Sequence, residues 1–193
     1  MEHDLQLAGH AFGLRPVTLG DAGLIVELRT GTERSQFLNP IPPSVEQQSE
    51  WLRRYFGREG DFYFVINRQR DGFPEGLIGL YDLHSAGQRA EWGRWITRPG
   101  SLAAIESALR IYEAGFERLG LAEIYCRTLA ANTSVVSFHD SCGLVRRGLI
   151  KDAFEFNGTQ HDAIEHFVTR DGWPAVRAGL DSKARFIARR VNQ

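Results

Sequence analysis

At 193 residues and 21.8 kDa, the chain has the length of a single domain. Hydrophobic residues make up 42% of the sequence and charged residues 24%, which is typical of a folded, soluble protein. The net charge of -1 argues against a nucleic-acid binder, because such proteins need a strongly positive face. Two cysteines are too few for a disulfide framework, and no apolar run reaches the ~20 residues of a membrane span. We therefore expect a cytoplasmic protein without membrane contact.

The domain boundaries follow from where periodicity begins and ends. Residues 1–12 show none, which predicts a flexible N-terminal tail before a domain at residues 13–175. Residues 176–193 carry five basic side chains and one acidic side chain, which predicts a solvated basic helix or tail. The domain opens with a short strand and two helices, the second starting at Ser44 in a capping-box pattern.

The middle of the domain is predicted to be an antiparallel meander. Aromatic and β-branched runs occupy residues 62–66, 77–83 and 91–97, with short turns between them. A long helix should follow, because one apolar stripe precedes Gly120: Leu102, Ile105, Leu109, Tyr112, Phe116 and Leu119. A strand at 124–129 then completes a βαβ crossover over residues 91–129, whose two strands should be parallel.

The last part of the domain predicts a short helix and a hairpin. The helix begins at Asn132, and strands at 149–156 and 163–169 flank the turn dipeptide Asn157-Gly158. The complete set of elements predicts an α/β protein with a mixed, mostly antiparallel, seven-stranded sheet flanked by helices.

A candidate anion site lies where the third meander strand enters the long helix, at Ile96-Thr97-Arg98-Pro99-Gly100-Ser101. Backbone N–H groups at the start of a helix bind anions, phosphates in particular. The same residues also suit an ordinary turn in which Ser101 caps the helix.

The segment from Asn132 to Leu144 carries the most specific pattern. Asn132 and Gly143 resemble, at the same spacing of eleven, the N-x(6)-Y-x(3)-G-F signature of the GNAT superfamily of acyl-CoA-dependent N-acetyltransferases. Three further segments resemble the family's fourth strand, the lead-in to its fifth strand and its usual ending: 90–96, 116–124 and 169–173. The similarity covers about residues 14–175 and is greatest to the branch containing ribosomal-protein and amino-sugar acetyltransferases.

The resemblance implies a binding site for acetyl-CoA as co-substrate, without a metal. Its pantetheine arm would lie in a gap between the fourth and fifth strands, and its pyrophosphate at residues 98–103. The residues implied in binding are Trp95, Ile96, Thr97, Arg98, Gly100, Ser101, Leu102, Ala103, Asn132 and Phe138.

Three departures from the family pattern stand in these segments. Ser101 occupies the place of the first glycine of the pyrophosphate loop, and Pro99 removes one N–H donor. His139 stands where the family has a tyrosine, and Leu144 replaces the phenylalanine after the motif glycine.

His139 is the candidate general acid for the departing thiolate, because a protonated imidazole with a pKa of ~6.5 can protonate a thiol of pKa ~8.5. The alternative is a partly exposed helix residue without a catalytic role. For the base, the resemblance implies Glu91, acting through a water, and His84 is a second option. Glu91 could equally be a solvated strand residue or pair with Arg94, and desolvation of the amine could replace a base altogether.

The acceptor pocket is expected from five residues: Arg34, Phe37, Asn39, Tyr81 and Trp92. An arginine among aromatic rings suits an anionic, partly flat acceptor such as a nucleotide-linked amino sugar, although Arg34 could also be a surface residue. Other histidine, cysteine and serine combinations lack the spacing of a metal site or a catalytic triad.

These patterns together predict a GNAT-type N-acetyltransferase that acts as a monomer or homodimer on a small-molecule amine. We expect an amino-sugar acceptor, with no nucleic-acid partner. Two alternatives stay open: acetylation of a protein or peptide N-terminal amine, and a non-catalytic protein that binds an acyl-CoA or another metabolite.

Overall fold

The computed structural model describes residues 1–31, 33–84, 88–156 and 158–193. Its centre is a seven-stranded sheet in the order β1-β2-β3-β4-β5-β7-β6. The strands are β1 (Phe12–Pro16), β2 (Phe62–Arg68), β3 (Pro74–His84), β4 (Arg89–Thr97), β5 (Glu123–Leu129), β6 (Val145–Phe156) and β7 (Thr159–Thr169). Only the β4–β5 pair among them is parallel, so the predicted mixed, mostly antiparallel sheet and its crossover are confirmed.

Helices cover both faces of the sheet. They are α1 (Ala22–Thr30), α2 (Val45–Phe56), α3 (Ala104–Glu113), α4 (Thr133–Ser141) and α5 (Trp173–Val191). Alternating residues of β2 serve two separate cores, because successive side chains of a strand point to opposite faces. Phe62 and Phe64 pack in the core shared with α3 and α5, whereas Tyr63 and Val65 pack in the core shared with α1 and α2.

The predicted long helix differs from α3 at both ends. Leu102 is 50% exposed and precedes the helix, so it does not belong to the apolar stripe. At the other end, α3 passes into a π-helical turn at Ala114–Arg118. Gly120 then takes a φ of 71°, which allows the chain to leave the helix in the left-handed conformation.

β4 and β5 diverge beyond their first few residues. The pairing between described residues ends at Glu91 and Tyr125, although the strands continue to Thr97 and Leu129. β4 also carries a bulge, since Leu77 and Gly79 of β3 lie opposite Ile96 and Gly93. Arg94 within the bulge adopts a φ of 49°. The bend opens a gap between the two parallel strands.

The N-terminal residues pack against the domain instead of forming the flexible tail predicted for residues 1–12. Leu7 and Ala11 are buried, and Leu7 exchanges two backbone hydrogen bonds with Leu14, at 2.9 and 2.8 Å. Glu106 of α3 accepts hydrogen bonds from the backbone N–H groups of Ala11 and Phe12, each at 2.9 Å, and from that of His10. The segment lacks periodicity because backbone hydrogen bonds, not an apolar stripe, hold it in place.

The C-terminal residues form α5, which packs one side against α3 and does not lie free in solvent. Leu180, Ala184 and Ala188 are buried, and the basic residues Arg185 and Arg189 are exposed on the other side. In the predicted hairpin, Gly158 takes a φ of 71° and Phe156 pairs with Thr159, while Asn157 lies outside the described residues. Among the helices in the described part of the chain, none is long and apolar enough to cross a membrane.

Candidate active site

A cleft of about 1130 Å³ lies where β4 and β5 diverge. It is bordered by α1, α2, α4 and the middle strands of the sheet. Many of the predicted site residues line it: Phe37, Asn39, Tyr81, Glu91, Trp92, Trp95, Ile96, Thr97, Asn132, Phe138 and His139. The predicted loop residues Arg98, Gly100, Ser101, Leu102 and Ala103 lie outside the lining, and the side chains of Arg34 and His84 lie outside the described part of the chain.

The turn between β4 and α3 presents free backbone donors beside this cleft. Gly100 has a φ of 77°, which favours glycine, and Ser101 Oγ accepts a hydrogen bond from the Ala103 N–H at 3.2 Å. The N-cap of α3 is Ala103, so Ser101 stabilises the turn without capping the helix. Among described residues, the N–H groups of Gly100, Leu102 and Ala104 have no hydrogen-bond partner. Free donors at a helix start are what a phosphate group requires.

Arg98 is engaged away from the position predicted for the pyrophosphate. Its backbone N–H donates to the Glu75 carbonyl oxygen at 2.8 Å. Its guanidinium group donates to the Pro74 carbonyl oxygen at 2.9 Å and to both carboxylate oxygens of Glu27 on α1, at 2.5 and 3.0 Å. Arg98 instead links the end of β4 to β3 and α1. Its partner on α1, Glu27, is distant in sequence.

His139 is almost completely buried, with 2% of its surface exposed. Its ring meets that of Trp92 edge to face at 5.2 Å and lies 5.3 Å from that of His166. Burial, and to a smaller extent the neighbouring His166, lower the pKa of His139 to about 3. The imidazole is therefore neutral near pH 7, which corrects the expectation of a protonated acid in the resting protein.

This neutral histidine should make the protein less stable in acid. The pKa of His139 is about 3 in the folded state and 6.5 in an exposed histidine, so the unfolded chain binds the proton first as the pH falls. The contribution to stability is complete above pH 6.5 and is lost towards pH 3, by about 1.4 kcal/mol per pH unit. Urea unfolding at pH 7, 6 and 5 should show this loss in the wild type and a shallower loss in His139→Gln. Equal slopes in the two proteins would contradict it.

Glu91 forms a buried ion pair with Arg127 of β5. Only 2% of Glu91 is exposed, and its Oε2 accepts from Arg127 Nε at 3.0 Å and from Nη2. Glu91 is thus neither a solvated residue nor the partner of Arg94, whose guanidinium donates to Asp61 at 2.6 and 3.0 Å. Burial raises the pKa of Glu91 and Arg127 opposes the rise. A carboxyl group with a raised pKa is a stronger proton acceptor than an ordinary one.

Aromatic rings surround Arg94 at the end of the cleft formed by α2. The guanidinium carbon of Arg94 lies 4.4 Å from the centre of the Tyr81 ring, 5.5 Å from that of Tyr63 and 5.8 Å from that of Trp51. Burial, and then Glu91, raises the pKa of the Tyr81 phenol above its usual range. Arg94 and these three rings form an aromatic wall of the cleft, which is flat and apolar with a positive charge at its centre. Of the four residues, only Tyr81 is predicted from the sequence patterns.

Trp92 mainly belongs to the core, although the sequence predicts that it contacts the acceptor. Its Nε1 donates to the Tyr112 hydroxyl at 2.8 Å, and only 2% of the residue is exposed. Trp95, within the bulge, donates from Nε1 to Ser107 Oγ at 3.1 Å and packs 5.0 Å from the Phe138 ring. Both tryptophans therefore shape the cleft by packing.

Basic side chains outnumber acidic ones in the lining of the cleft. Five arginines and two glutamates line it: Arg29, Arg54, Arg58, Arg94, Arg127, Glu50 and Glu91. Arg54 lies exposed on α2 and forms no ion pair with a described residue. No group of three or more metal-ligating side chains occurs in the described ranges. Arg94 and Arg127 are paired with Asp61 and Glu91, and the arginines that remain favour a negatively charged ligand.

Solved structures with the same fold include several acetyltransferases. A nucleotide-linked sugar GNAT, FdhC, is 28% identical, with a TM-score of 0.77 over 95% of this chain and 99% of that one. A GCN5-related N-acetyltransferase from Brucella melitensis is 16% identical, with a TM-score of 0.80 over 94% of this chain and 86% of that one. A variant of the spermidine N-acetyltransferase SpeG from Vibrio cholerae is 19% identical, with a TM-score of 0.74 over 85% and 96% of the two chains.

The family itself is defined by a profile match over most of the chain. No curated protein sequence shows significant similarity. The profile of the acetyltransferase (GNAT) domain, however, matches residues 12–145, which include β1 to β5, α1 to α4 and the divergent β4–β5 pair. The chain therefore belongs to the GNAT family of N-acetyltransferases.

Proposed function

We propose that this enzyme transfers the acetyl group of acetyl-CoA directly to the primary amine of a nucleotide-linked amino sugar. The observation that carries the acceptor assignment is the arginine-rich and aromatic wall of the cleft. A nucleotide-linked sugar brings two phosphates, which arginines bind, and a flat base, which stacks on aromatic rings. The similarity to FdhC, itself a nucleotide-linked sugar GNAT, supports the same acceptor class.

The β4–α3 region supports the binding of acetyl-CoA. The N–H groups of Gly100, Leu102 and Ala104 are available for the pyrophosphate at the start of α3. The pantetheine arm would enter the gap between β4 and β5, beside Trp95, Ile96 and Thr97. Glu106 in the first turn of α3 carries a negative charge that would oppose an anion. However, three backbone N–H groups and Arg110 compensate this charge within the protein.

The remaining side chains of the cleft suit an acyl transfer. Asn132 caps α4 by accepting from the Val135 N–H at 3.4 Å, and Asn132 and Phe138 both line the cleft, where they would contact the pantetheine arm. Glu91 would accept the amine proton through a water, and His139 would meet the thiol. A backbone N–H of β4 in the gap would stabilise the oxyanion of the tetrahedral intermediate. Such a donor is expected there because the described pairing of β4 with β5 ends at Glu91.

The charge of the cleft argues against a polyamine acceptor. Spermidine is a polycation, and the excess of arginines in the lining would repel it. The likeness to SpeG, at 19% identity, extends to the fold and carries no acceptor assignment.

An acceptor panel tests the proposal directly. Thiol release from acetyl-CoA should be measured with nucleoside-diphosphate amino sugars, free amino sugars, spermidine and short peptides. We expect turnover with the nucleotide-linked sugars and little with the others. Turnover with peptides alone would overturn the acceptor assignment. Acetyl-CoA binding without release for any amine would support the non-catalytic alternative.

Arg54 offers a charge-reversal test with a matched control. Arg53 and Arg54 are adjacent, exposed residues in the last turn of α2, and only Arg54 lines the cleft. Arg54→Glu should raise the KM for the nucleotide sugar about 5-fold or more, and Arg53→Glu should not. Added salt should narrow the difference, because the charge is exposed. Equal KM values in the two variants would show that the phosphates bind elsewhere.

Gly93 tests the position of the aromatic wall. A Cβ at Gly93 would lie 2.3 Å from the Tyr81 hydroxyl, whereas a Cβ at its pairing partner Gly79 would have no contact closer than 3.4 Å. Gly93→Ala should therefore displace the Tyr81 ring and lower kcat/KM for the acceptor by about 10-fold. The control Gly79→Ala should stay near the wild type. Unchanged kcat/KM in Gly93→Ala would mean that Tyr81 does not contact the acceptor.

A further inference from the structure

A buried row of side chains leads from the cleft to the protein surface. His139 of α4 lines the cleft, and its ring centre lies 5.3 Å from that of His166 on β7. His166 is completely buried, and its Nε2 lies 3.0 Å from Asp140 Oδ1. The Asp140 side chain is 42% exposed and accepts a further hydrogen bond from Arg146 Nη2 at 2.5 Å. The three residues therefore connect the reaction site with solvent.

Both histidines have an unused ring nitrogen in the interior. The Nδ1 atoms of His139 and His166 are buried and have no hydrogen-bond partner among described residues. A buried polar atom without a partner is costly, and most buried polar atoms in proteins are paired. The ring centres lie 5.3 Å apart and the two Nδ1 atoms are not hydrogen-bonded to one another, so a proton would pass between them through one water or after a small rotation of a ring.

The hydrogen bond with Asp140 decides which nitrogens carry protons. Asp140 is ionised, because its contacts with His166 and then Arg146 lower its pKa. An ionised carboxylate accepts, so His166 carries its proton on Nε2 and leaves Nδ1 as an acceptor. With His166 Nδ1 as the acceptor, His139 would carry its proton on Nδ1 and would present its Nε2 lone pair to the cleft.

We propose that His166, held by Asp140, stores the proton that His139 takes from the acceptor amine and later returns to the CoA thiolate. The inference rests on the proposed acetyl transfer and adds His166 and Asp140 to it as residues that act through His139. It also assigns His139 to both proton transfers, so that one imidazole serves as base, in the role given to Glu91 above, and then as acid.

The proton transfers balance in two steps. In the first, the amine forms a C–N bond to the thioester carbonyl carbon and the C=O π pair moves onto oxygen. The amine proton moves to His139 Nε2, and the Nδ1 proton of His139 moves to His166 Nδ1. In the second, the oxyanion re-forms the C=O bond and the C–S bond breaks with its electron pair on sulfur. The thiolate takes the proton from His139 Nε2, and His139 Nδ1 regains its proton from His166. The net change is one proton moved from nitrogen to sulfur.

Charge placement explains why two histidines are needed. A pKa of about 3 means that His139 cannot hold a positive charge alone near pH 7. On His166 the charge would lie 3.0 Å from a carboxylate oxygen. Two further ionisable groups lie opposite His166 in the strand register: Cys126 of β5, whose pKa burial raises so that it stays neutral, and Arg146 of β6.

Nitrogen-15 NMR of the full chain tests the hydrogen-bond order without any acceptor. We expect the Nε2–H tautomer for His166 and the Nδ1–H tautomer for His139 at pH 7. In Asp140→Asn, the His166 tautomer preference should weaken. A His139 ring protonated on Nε2 in the wild type would overturn the proposal. Because this measurement needs no turnover, it tests the hydrogen-bond order of His139, His166 and Asp140 even if the proposed acceptor is wrong.

Kinetics of a double-mutant cycle provide the second test. His166→Asn and Asp140→Asn should each lower kcat by about 10-fold or more, with the KM for acetyl-CoA little changed. In a His139→Gln background, His166→Asn should have no further effect, because it acts through His139. The control His161→Asn, on the same strand, should retain wild-type kcat. Wild-type kcat in Asp140→Asn, or additive effects of the two histidine changes, would overturn the inference while leaving the acetyl transfer intact.

Discussion

His139→Ala is expected to lower kcat by about 10²- to 10⁴-fold, the range typical of a lost general acid or base. The residue lines the cleft between Trp92 and Phe138, and it stands where the family signature has its tyrosine. The KM for acetyl-CoA should change little, because the backbone of β4 and the start of α3 supply most of the proposed contacts. Steady-state kinetics at saturating acetyl-CoA measures the effect.

The control for this prediction is His161→Ala, since His161 lies on β7 outside the cleft lining. Removal of a buried ring also costs stability, so the melting temperature of both variants must lie well above the assay temperature. Full turnover in a folded His139→Ala protein would remove His139 from the chemistry. The proton would then pass to solvent, and Glu91 would be the remaining candidate base.

Glu106→Ala is expected to lower the free energy of unfolding by about 3–5 kcal/mol. The carboxylate is 1% exposed and accepts from the backbone N–H groups of His10, Ala11 and Phe12. Its removal leaves these donors without acceptors in the interior, at roughly 1–3 kcal/mol each. Arg110, which lies 3.5 Å from Glu106, would also lose a partner. Urea unfolding at constant pH measures the loss.

Glu106→Gln is the matched variant, because the amide keeps one acceptor oxygen and nearly the same volume. It should lose less stability than Glu106→Ala. Hydrogen exchange at the Ala11 and Phe12 amides should increase in both variants, since their acceptor is weakened or lost. If Glu106→Ala unfolded at the wild-type urea concentration, apolar contacts of Leu7 and Ala11 would suffice to hold the N-terminal segment.

The order of the strands and helices could be predicted because each element depends on local patterns. Ser44 starts α2 by accepting from the Gln47 N–H at 3.2 Å, as the capping-box pattern indicates. The apolar stripe of α3 follows from helical periodicity, and β2 follows from its run of aromatic and β-branched residues. The packing of residues 1–11 could not be predicted in this way, because its anchor, Glu106, is about a hundred positions away in the sequence.

The candidate site likewise combines residues that local patterns predict with contacts that they do not predict. Asn132 and His139 follow from a contiguous motif whose spacing on one helix is local information. The partners that set their chemistry are not local. Glu91 pairs with Arg127, Arg94 with Asp61, Arg98 with Glu27 and His139 with His166. Each of these pairs joins different elements, so no spacing in the sequence indicates it.

The family, the order of the elements and the position of the central histidine therefore follow from local sequence patterns. Three properties of the site arise from tertiary packing. The central histidine is neutral, Glu91 is paired with Arg127, and arginines and aromatic rings line one cleft. Ionisation depends on burial and on neighbouring charges within a few ångströms. Burial and neighbouring charges both depend on how the sheet and helices pack, so they arise only in the folded chain.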